Sequence, residues 1–215
     1  VENGILKGRY VNRLGFVLEG GSIESDGMGT LLTTSECLLS PNRNGQKNKV
    51  EIEEYLKSVF QVRQILWLDD GYLAGDDTDS HIDTLARFCP ADTIVYVQCE
   101  DETDEHYEAL QAMEEQLHSF RTLNGEPYRL LALPMADKIV EEGERLPATY
   151  ANFLILNGTI LYPTYNQPEN DRRACEVLQE AFPGYQMVGI DCRPLIKQHG
   201  SLHCVTMQYT LGVLK

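Results

Sequence analysis

The order of elements along this chain repeats, and the repeat limits the possible folds more than any single motif does. In the last third, Phe153-Leu154-Ile155-Leu156 and Thr159-Ile160-Leu161-Tyr162 flank Asn157-Gly158, the dipeptide that best specifies a two-residue β-hairpin. A helix over about Pro168 to Phe182 follows, then a strand over Gln186 to Ile190. The middle third has the same order: strand-like Ile82 to Phe88 and Thr93 to Cys99, a helix with an acidic outer face over Thr103 to Arg121, and a strand over Tyr128 to Leu133 that Pro134 ends. The first third reads as Phe16-Val17-Leu18, Thr30 to Thr33 and Cys37-Leu38-Leu39 as short antiparallel strands, with a turn at Asp26-Gly27. Val50, Ile52, Tyr55, Leu56, Val59 and Phe60 then share one face of an amphipathic helix, and Gln64 to Leu68 is a buried strand ending at Asp69-Asp70-Gly71. Trp67 belongs to that strand as core.

Strand, strand, helix, strand, repeated at intervals of roughly sixty residues, is a structural repeat even where the letters differ. A doubly wound sheet places one strand before each helix, whereas here each helix follows a hairpin. Units of this kind close into a ring or propeller more naturally than into one doubly wound sheet, although crossover handedness still allows an open sheet, and the expected class is an α/β propeller of ββαβ units. The loops of such a ring converge on one cavity, so unusual residues at equivalent loops become neighbours.

Three such loops carry chemistry. The first holds Glu19, Gly20 and Gly21, the second Asp76, Asp77, His81 and Asp83, and the third runs from Gly200 to Cys204 through His203. A lone cysteine beside a histidine is usually a small buried hydrophobe, and an isolated His-x-Asp is usually surface chemistry. Brought together, the same residues suit a planar cation. Paired carboxylates match the fork of N–H donors on a guanidinium, and a thiolate is the side-chain nucleophile best able to attack its resonance-stabilised carbon. A free thiol titrates near 8.5, so a bound cation would favour its ionisation.

The charge balance agrees. A formal net charge of -15 argues against nucleic acid as a partner and is compatible with a cationic substrate. Six cysteines without a CxxC pair read as free thiols of a reducing compartment, which predicts a cytoplasmic protein. No apolar run is long enough for a membrane partner, and Asn157-Gly158-Thr159 is read as a turn rather than a glycosylation site. The Asp69 to Asp79 carboxylates lack EF-hand spacing, and His81, His203 and Cys204 lack zinc-site spacing, so no metal is expected. His106 and His118 are expected to face solvent on their helix, His199 to orient the loop before Cys204, and the other five cysteines to have no chemical role.

Five collinear blocks carry a family resemblance: Leu18-Glu19-Gly20-Gly21-Ser22-Ile23-Glu24; Gly29 to Thr34 with Cys37-Leu38-Leu39 and Asn42-Arg43-Asn44; Gly75 to Phe88; Ala151-Asn152-Phe153; and Gly200 to Gln208. Together they resemble the agmatine deiminase and Porphyromonas-type peptidylarginine deiminase family. The resemblance implies a pentein fold, a fivefold propeller of ββαβ units, and hydrolysis of a guanidine to a urea and ammonia without metal or cofactor. It implies Cys204 as nucleophile, His81 as the acid and then base, Asp83 as the guanidinium ligand and Asp77 as a further carboxylate near the substrate. Glu19, Gly20, Gly21 and Gly200 would shape the pocket. Agmatine is the expected substrate, with peptidylarginine or free arginine as alternatives, and a homodimer is compatible with the family.

Two departures stand out. Ser80 occupies a position where many relatives have glycine. Family members also carry an upstream portion with another aspartate and a tryptophan that contact substrate, which this sequence, beginning at Val1, does not match. The expectation is thus a single deiminase domain over 1–215 with about three of five units and its N-terminal part missing. Such a piece would be poorly active, or would bind guanidines without turnover.

Overall fold

A computed structural model describes Ile5, Lys7, residues 11–209 and residues 211–214. After a short 3-10 turn at Gly20–Ser22, the first unit consists of β1 (Ile23–Ser25), β2 (Thr30–Thr34), the short helices α1 (Ser35–Leu38) and α2 (Pro41–Asn44), α3 (Lys49–Phe60) and β3 (Gln64–Leu68). The second has β4 (Ala86–Cys89), β5 (Thr93–Gln98), α4 (Tyr107–Ser119) and β6 (Arg129–Pro134). A small hairpin, β7 (Val140–Glu141) and β8 (Glu144–Arg145), leads to the third: β9 (Leu154–Leu156), β10 (Thr159–Thr164), α5 (Pro168–Ala181) and β11 (Gln186–Asp191). The short helix α6 (Arg193–Ile196) precedes the Cys204 segment.

Each unit builds one three-stranded sheet with its second strand in the middle, antiparallel to the first and parallel to the third. The helix makes the parallel crossover, because two parallel neighbours cannot be joined by a tight turn. The expected ββαβ repeat is therefore present three times among the described residues.

Local chemistry explains the elements that were legible. Asn157 and Gly158 both have positive φ, 48° and 84°, as the tight hairpin turn between β9 and β10 requires. Helix α3 begins with a reciprocal capping box, in which Asn48 Oδ1 accepts from Glu51 N at 3.1 Å and Glu51 Oε2 accepts from Asn48 N at 2.8 Å. Its Ile52 and Leu56 are fully buried with Leu31, Cys37, Leu38, Ile65 and Trp67 in the core of the first unit. A larger core lies under the second and third units.

Three expectations are corrected. Cys37-Leu38-Leu39 is not a strand: Thr34 Oγ1 accepts from Cys37 N at 3.3 Å and caps the helical turn α1, which buries Cys37 and Leu38 just as a strand would. Phe16-Val17-Leu18 is not a strand either. The Asn44 side-chain amide pairs with both the N–H and the carbonyl of Val17 at 3.1 and 2.9 Å, so a side chain takes the place of a neighbouring strand. The first hairpin is instead β1 with β2, closed by Asp26 Oδ1 accepting from the backbone N–H groups of Met28, Gly29 and Thr30. Finally, Ile82–Thr84 is a 3-10 turn, pinned by Thr84 Oγ1 donating to His81 O at 2.7 Å, and the strand starts only at Ala86.

The units are tied together where their loops meet. Thr34 Oγ1 donates to Ser80 O at 2.8 Å, and Thr149 Oγ1 donates to Thr84 O at 2.7 Å. Buried Arg87 on β4 donates to Glu24 of β1 at 2.7 Å and to Phe153 O at 2.8 Å, joining all three units.

Candidate active site

The three loops singled out from the sequence do converge. The 3-10 turn at Gly20–Ser22 lies against the turn at Ile82–Thr84 so closely that a Cβ on Gly21 would stand 2.6 Å from His81 Nδ1 and 2.9 Å from both Asp83 carboxylate oxygens. Only a residue without a side chain fits there. Asp83 is 1% exposed. Its Oδ2 lies 2.7 Å from His203 Nδ1, next to Cys204, whereas its Oδ1 is one of three buried side-chain atoms without a hydrogen-bond partner among the described residues. A buried carboxylate oxygen with no donor is costly, and it points to a cationic N–H ligand.

Cys204 follows His203 in a short 3-10 turn. The residue is exposed as a whole, but its thiol has protein neighbours: Sγ lies 3.4 Å from Asn152 Oδ1, and a Cβ on Gly200 would stand 3.1 Å from the Cys204 Cβ. Partial burial raises the thiol above its ordinary value, and the nearby Asp83 charge raises it further. Without a bound cation, the sulfur is held as a neutral thiol at pH 7.

His81 Nε2 lies 3.3 Å from Glu19 Oε2. Glu19 is gripped from its other side by Arg43, through Nε at 2.5 Å and a second guanidinium nitrogen at 3.1 Å, and Arg43 also pairs with Asp79 at 2.6 Å. Burial alone would push the Glu19 carboxyl up, but the hydrogen bonds from Arg43 and His81 outweigh it and hold it below its ordinary value. Glu19 therefore stays anionic and orients the His81 ring. Glu19, Cys37 and His81 each offer a ligand atom within 4.8 Å of one another. The positive charge among them is that of Arg43, and burial pushes the Cys37 thiol up to about 12, so the group is an ionic brace with an un-ionised thiol behind it.

The Gly75 to His81 loop carries three carboxylates, of which Asp79 pairs with Arg43. Asp76 turns inward, accepting from Thr78 Oγ1 at 2.6 Å and Ser80 N at 3.0 Å, and burial raises its carboxyl. Asp77 is exposed. Asp79 and Ser80 have φ of 56° and 57°, the left-handed region that favours glycine. Ser80 is held there by its hydroxyl donating to Glu36 at 3.0 Å and its carbonyl accepting from Thr34, contacts that glycine at this position would only half reproduce.

Two histidines outside the centre brace the same loop. His199 Nδ1 lies 2.7 Å from Gly75 O, linking the segment before Cys204 to the Asp76 loop, as expected of a loop-orienting residue. His106, expected in solvent, is instead 1% exposed. It precedes α4 and turns inward, where its Nε2 accepts from Ala74 N at 2.8 Å and its Nδ1 lies 2.6 Å from Asp104 Oδ1. His118 is exposed as expected. The features that sequence reasoning left without roles are Asn152, the Glu24–Arg87 pair and the His203–Asp83 contact. Asn152 stood inside one of the recognised blocks, which was the only available signal.

The model of the Porphyromonas-type peptidyl-arginine deiminase family matches residues 3–209. The chain belongs to that family. A Marinomonas sp. protein provisionally named an agmatine deiminase is 37% identical over 94% of this chain and 58% of its own length. Among solved structures, a Porphyromonas gingivalis protein provisionally named an arginine deiminase superposes with a TM-score of 0.96 at 54% identity, covering 100% of this chain and 63% of its own. A substrate-bound C. jejuni agmatine deiminase carrying a cysteine-to-serine replacement gives 0.83 at 46% identity, covering 88% and 55%. The chain thus spans less than two thirds of the length of these relatives. The fold is the pentein type expected from the resemblance, and an amidinotransferase only 14% identical still shares it at a TM-score of 0.55. Among the described residues, no helix is long and apolar enough to cross a membrane.

Proposed function

We propose that this deiminase-family domain hydrolyses a guanidinium group to a urea and ammonia, with agmatine giving N-carbamoylputrescine as its reaction. The observation that carries the reading is Asp83, a buried carboxylate with one oxygen lacking a donor among the described residues, set between the His81 imidazole and the His203-Cys204 turn. A guanidinium N–H supplies the missing donor. The bound cation also favours the thiolate that burial and the Asp83 charge otherwise disfavour.

The Cys204 thiol passes its proton to His81, and the sulfur then attacks the guanidinium carbon and forms a tetrahedral adduct. His81, oriented by Glu19, gives a proton to one nitrogen, and the C–N bond breaks to release ammonia and leave a thiouronium on Cys204. His81, now neutral, takes a proton from water, whose oxygen adds to the same carbon. Breaking the C–S bond releases the urea, and the proton that His81 took from water returns to the sulfur and regenerates the thiol. Gly20, Gly21 and Gly200 let backbone approach the reacting atoms, and Asp77 supplies a further carboxylate near the substrate from the exposed side of its loop. The substrate-bound C. jejuni relative carries serine for a cysteine, as arresting a thiol nucleophile would require. Six free thiols and a net charge of -15 fit a cytoplasmic enzyme of a small cation.

Ammonia release is to be measured with agmatine, free arginine and a peptide with internal arginine. The expected order puts agmatine first, and Cys204→Ala should abolish release with all three. Turnover surviving in Cys204→Ala refutes the nucleophile. Thermal stabilisation by agmatine without any ammonia would instead mark a binding-only domain.

A further inference from the structure

We propose that a cavity at the far end of the first strands binds a small N-alkylated ammonium ion, remote from the catalytic centre. This inference goes beyond the deiminase reading and does not depend on it. The cavity has a volume of about 250 Å³ and is lined by the rings of Phe88, Tyr128, Phe182 and Tyr185 together with Asp26 and Asp92. Drug-sized ligands occupy roughly 300–1,000 Å³, so the space suits a smaller molecule. Phe88 and Tyr128, with centroids 5.7 Å apart, come from the second unit, and Phe182 and Tyr185, 5.5 Å apart, from the third. The first unit adds Asp26, whose Oδ1 holds the β1–β2 turn and so fixes the carboxylate in place.

The lining selects the charge of the occupant. Phe88, Tyr128 and Phe182 are buried, Asp26 is half-buried and Asp92 is exposed, so rings form the walls and carboxylates the rim. Among the described residues the lining holds no lysine, arginine or histidine. A cation within about 6 Å of an aromatic face is attracted by the ring quadrupole, and the attraction grows as water is removed. Ring faces offer no lone pairs, so a primary ammonium would leave N–H donors without the partners it had in water. An alkylated ammonium keeps the charge and presents a surface of methyl groups instead. The acidic rim disfavours an anionic group beside that charge, which points to a free ammonium ion rather than a phosphocholine headgroup.

The position is separate from the reaction centre. Strands β1 and β4 start beside the Gly20–Ser22 and Ile82–Thr84 turns of that centre and end at the cavity. Three steps of strand place the two about 10 Å apart. Between them lie the Arg87–Glu24 pair and the Phe153 ring, which stacks edge-on against Phe182 at 5.6 Å.

Calorimetric titration of the full chain at fixed ionic strength, with choline, phosphocholine and dimethylbutanol, tests the proposal. Dimethylbutanol has the shape of choline with carbon in place of the charged nitrogen, and it should bind at least about fivefold more weakly. Phosphocholine should also bind several-fold more weakly than choline. Tyr185→Leu, which keeps apolar bulk without a ring, should weaken choline about fivefold or more, whereas Tyr185→Phe should retain it. Asp92 has a φ of 51°, which asparagine tolerates, and Asp92→Asn should weaken choline about twofold to fivefold. Equal affinity for choline and either comparison compound overturns the proposal, as does no choline binding up to tens of millimolar. Choline binding untouched by both Tyr185→Leu and Asp92→Asn places the ion elsewhere and overturns it too. If Tyr185→Leu gives no cooperative unfolding transition, Asp92→Asn and the two comparison compounds decide.

Discussion

Replacing Arg87 by methionine tests whether the three units are held in register by one buried ion pair. Arg87 Nε donates to Glu24 Oε2 at 2.7 Å, its outer nitrogen donates to Phe153 O at 2.8 Å, and its guanidinium lies 4.8 Å from the Phe153 ring centroid. Methionine fills much of the volume but leaves the Glu24 carboxylate buried without its cation. Breaking a buried pair in this way costs about 3–5 kcal/mol. Burial already raises the Glu24 carboxyl even with Arg87 present, so in the variant Glu24 will take up a proton on folding. A folded value above the unfolded one means that stability is greatest at low pH and is lost as pH rises, at about 1.4 kcal/mol per pH unit from near 4.5 up to the folded value. The loss should accordingly be larger at pH 8 than at pH 5. Urea unfolding followed by the fluorescence of Trp67, the one tryptophan in the chain, reads this directly. Adding Glu24→Gln to Arg87→Met should restore most of the loss, because the uncompensated charge is gone. A loss under about 1 kcal/mol at pH 7.5, or a loss that is flat with pH and unrelieved by Glu24→Gln, refutes the account.

Gly21→Ala should cut ammonia release by at least about a hundredfold, because the new methyl would stand 2.6 Å from His81 Nδ1 and force the imidazole or Asp83 aside; kinetics close to those of the parent would show that the two loops can separate freely. His106 accepts a backbone N–H with its Nε2, and burial lowers its pKa, partly offset by Asp104. Because the folded value lies below the unfolded one, this histidine stabilises the neutral form above about pH 6.5, and the contribution fades as the pH falls below it. Between pH 7 and pH 5 the melting temperature should therefore drop, and His106→Gln should flatten that slope; Asp104, held near 2, stays ionised throughout this window and does not confuse the reading.

Much of the architecture was legible because its causes are local. The β9–β10 hairpin needs two residues able to adopt positive φ, and Asn157-Gly158 supplies them. Helix α3 needs an apolar stripe and a cap, and both lie within a dozen adjacent residues. Where reading failed, a local alternative satisfied the same pattern. Cys37 and Leu38 are apolar and buried, but burial on a capped helical turn and burial on a strand look alike over three residues. His106 sits on a polar stretch that does face water elsewhere, and only the docking of the Tyr72 to Asp76 loop against it turns the ring inward.

Read alone, the chain settles the order of its elements, the residue types able to handle a guanidinium, and the family it joins. It leaves open how those residues meet. Glu24 and Arg87 are 63 positions apart, Asn152 and Cys204 are 52, and Asp83 and His203 are 120. No short-range preference records such pairs, because each contact forms only when separate sheets dock and remove the groups from water together. Sheet docking is what leaves one Asp83 oxygen without a donor among the described residues while the other meets His203, the neighbour of Cys204, and that placement turns three ordinary loops into a candidate reaction centre.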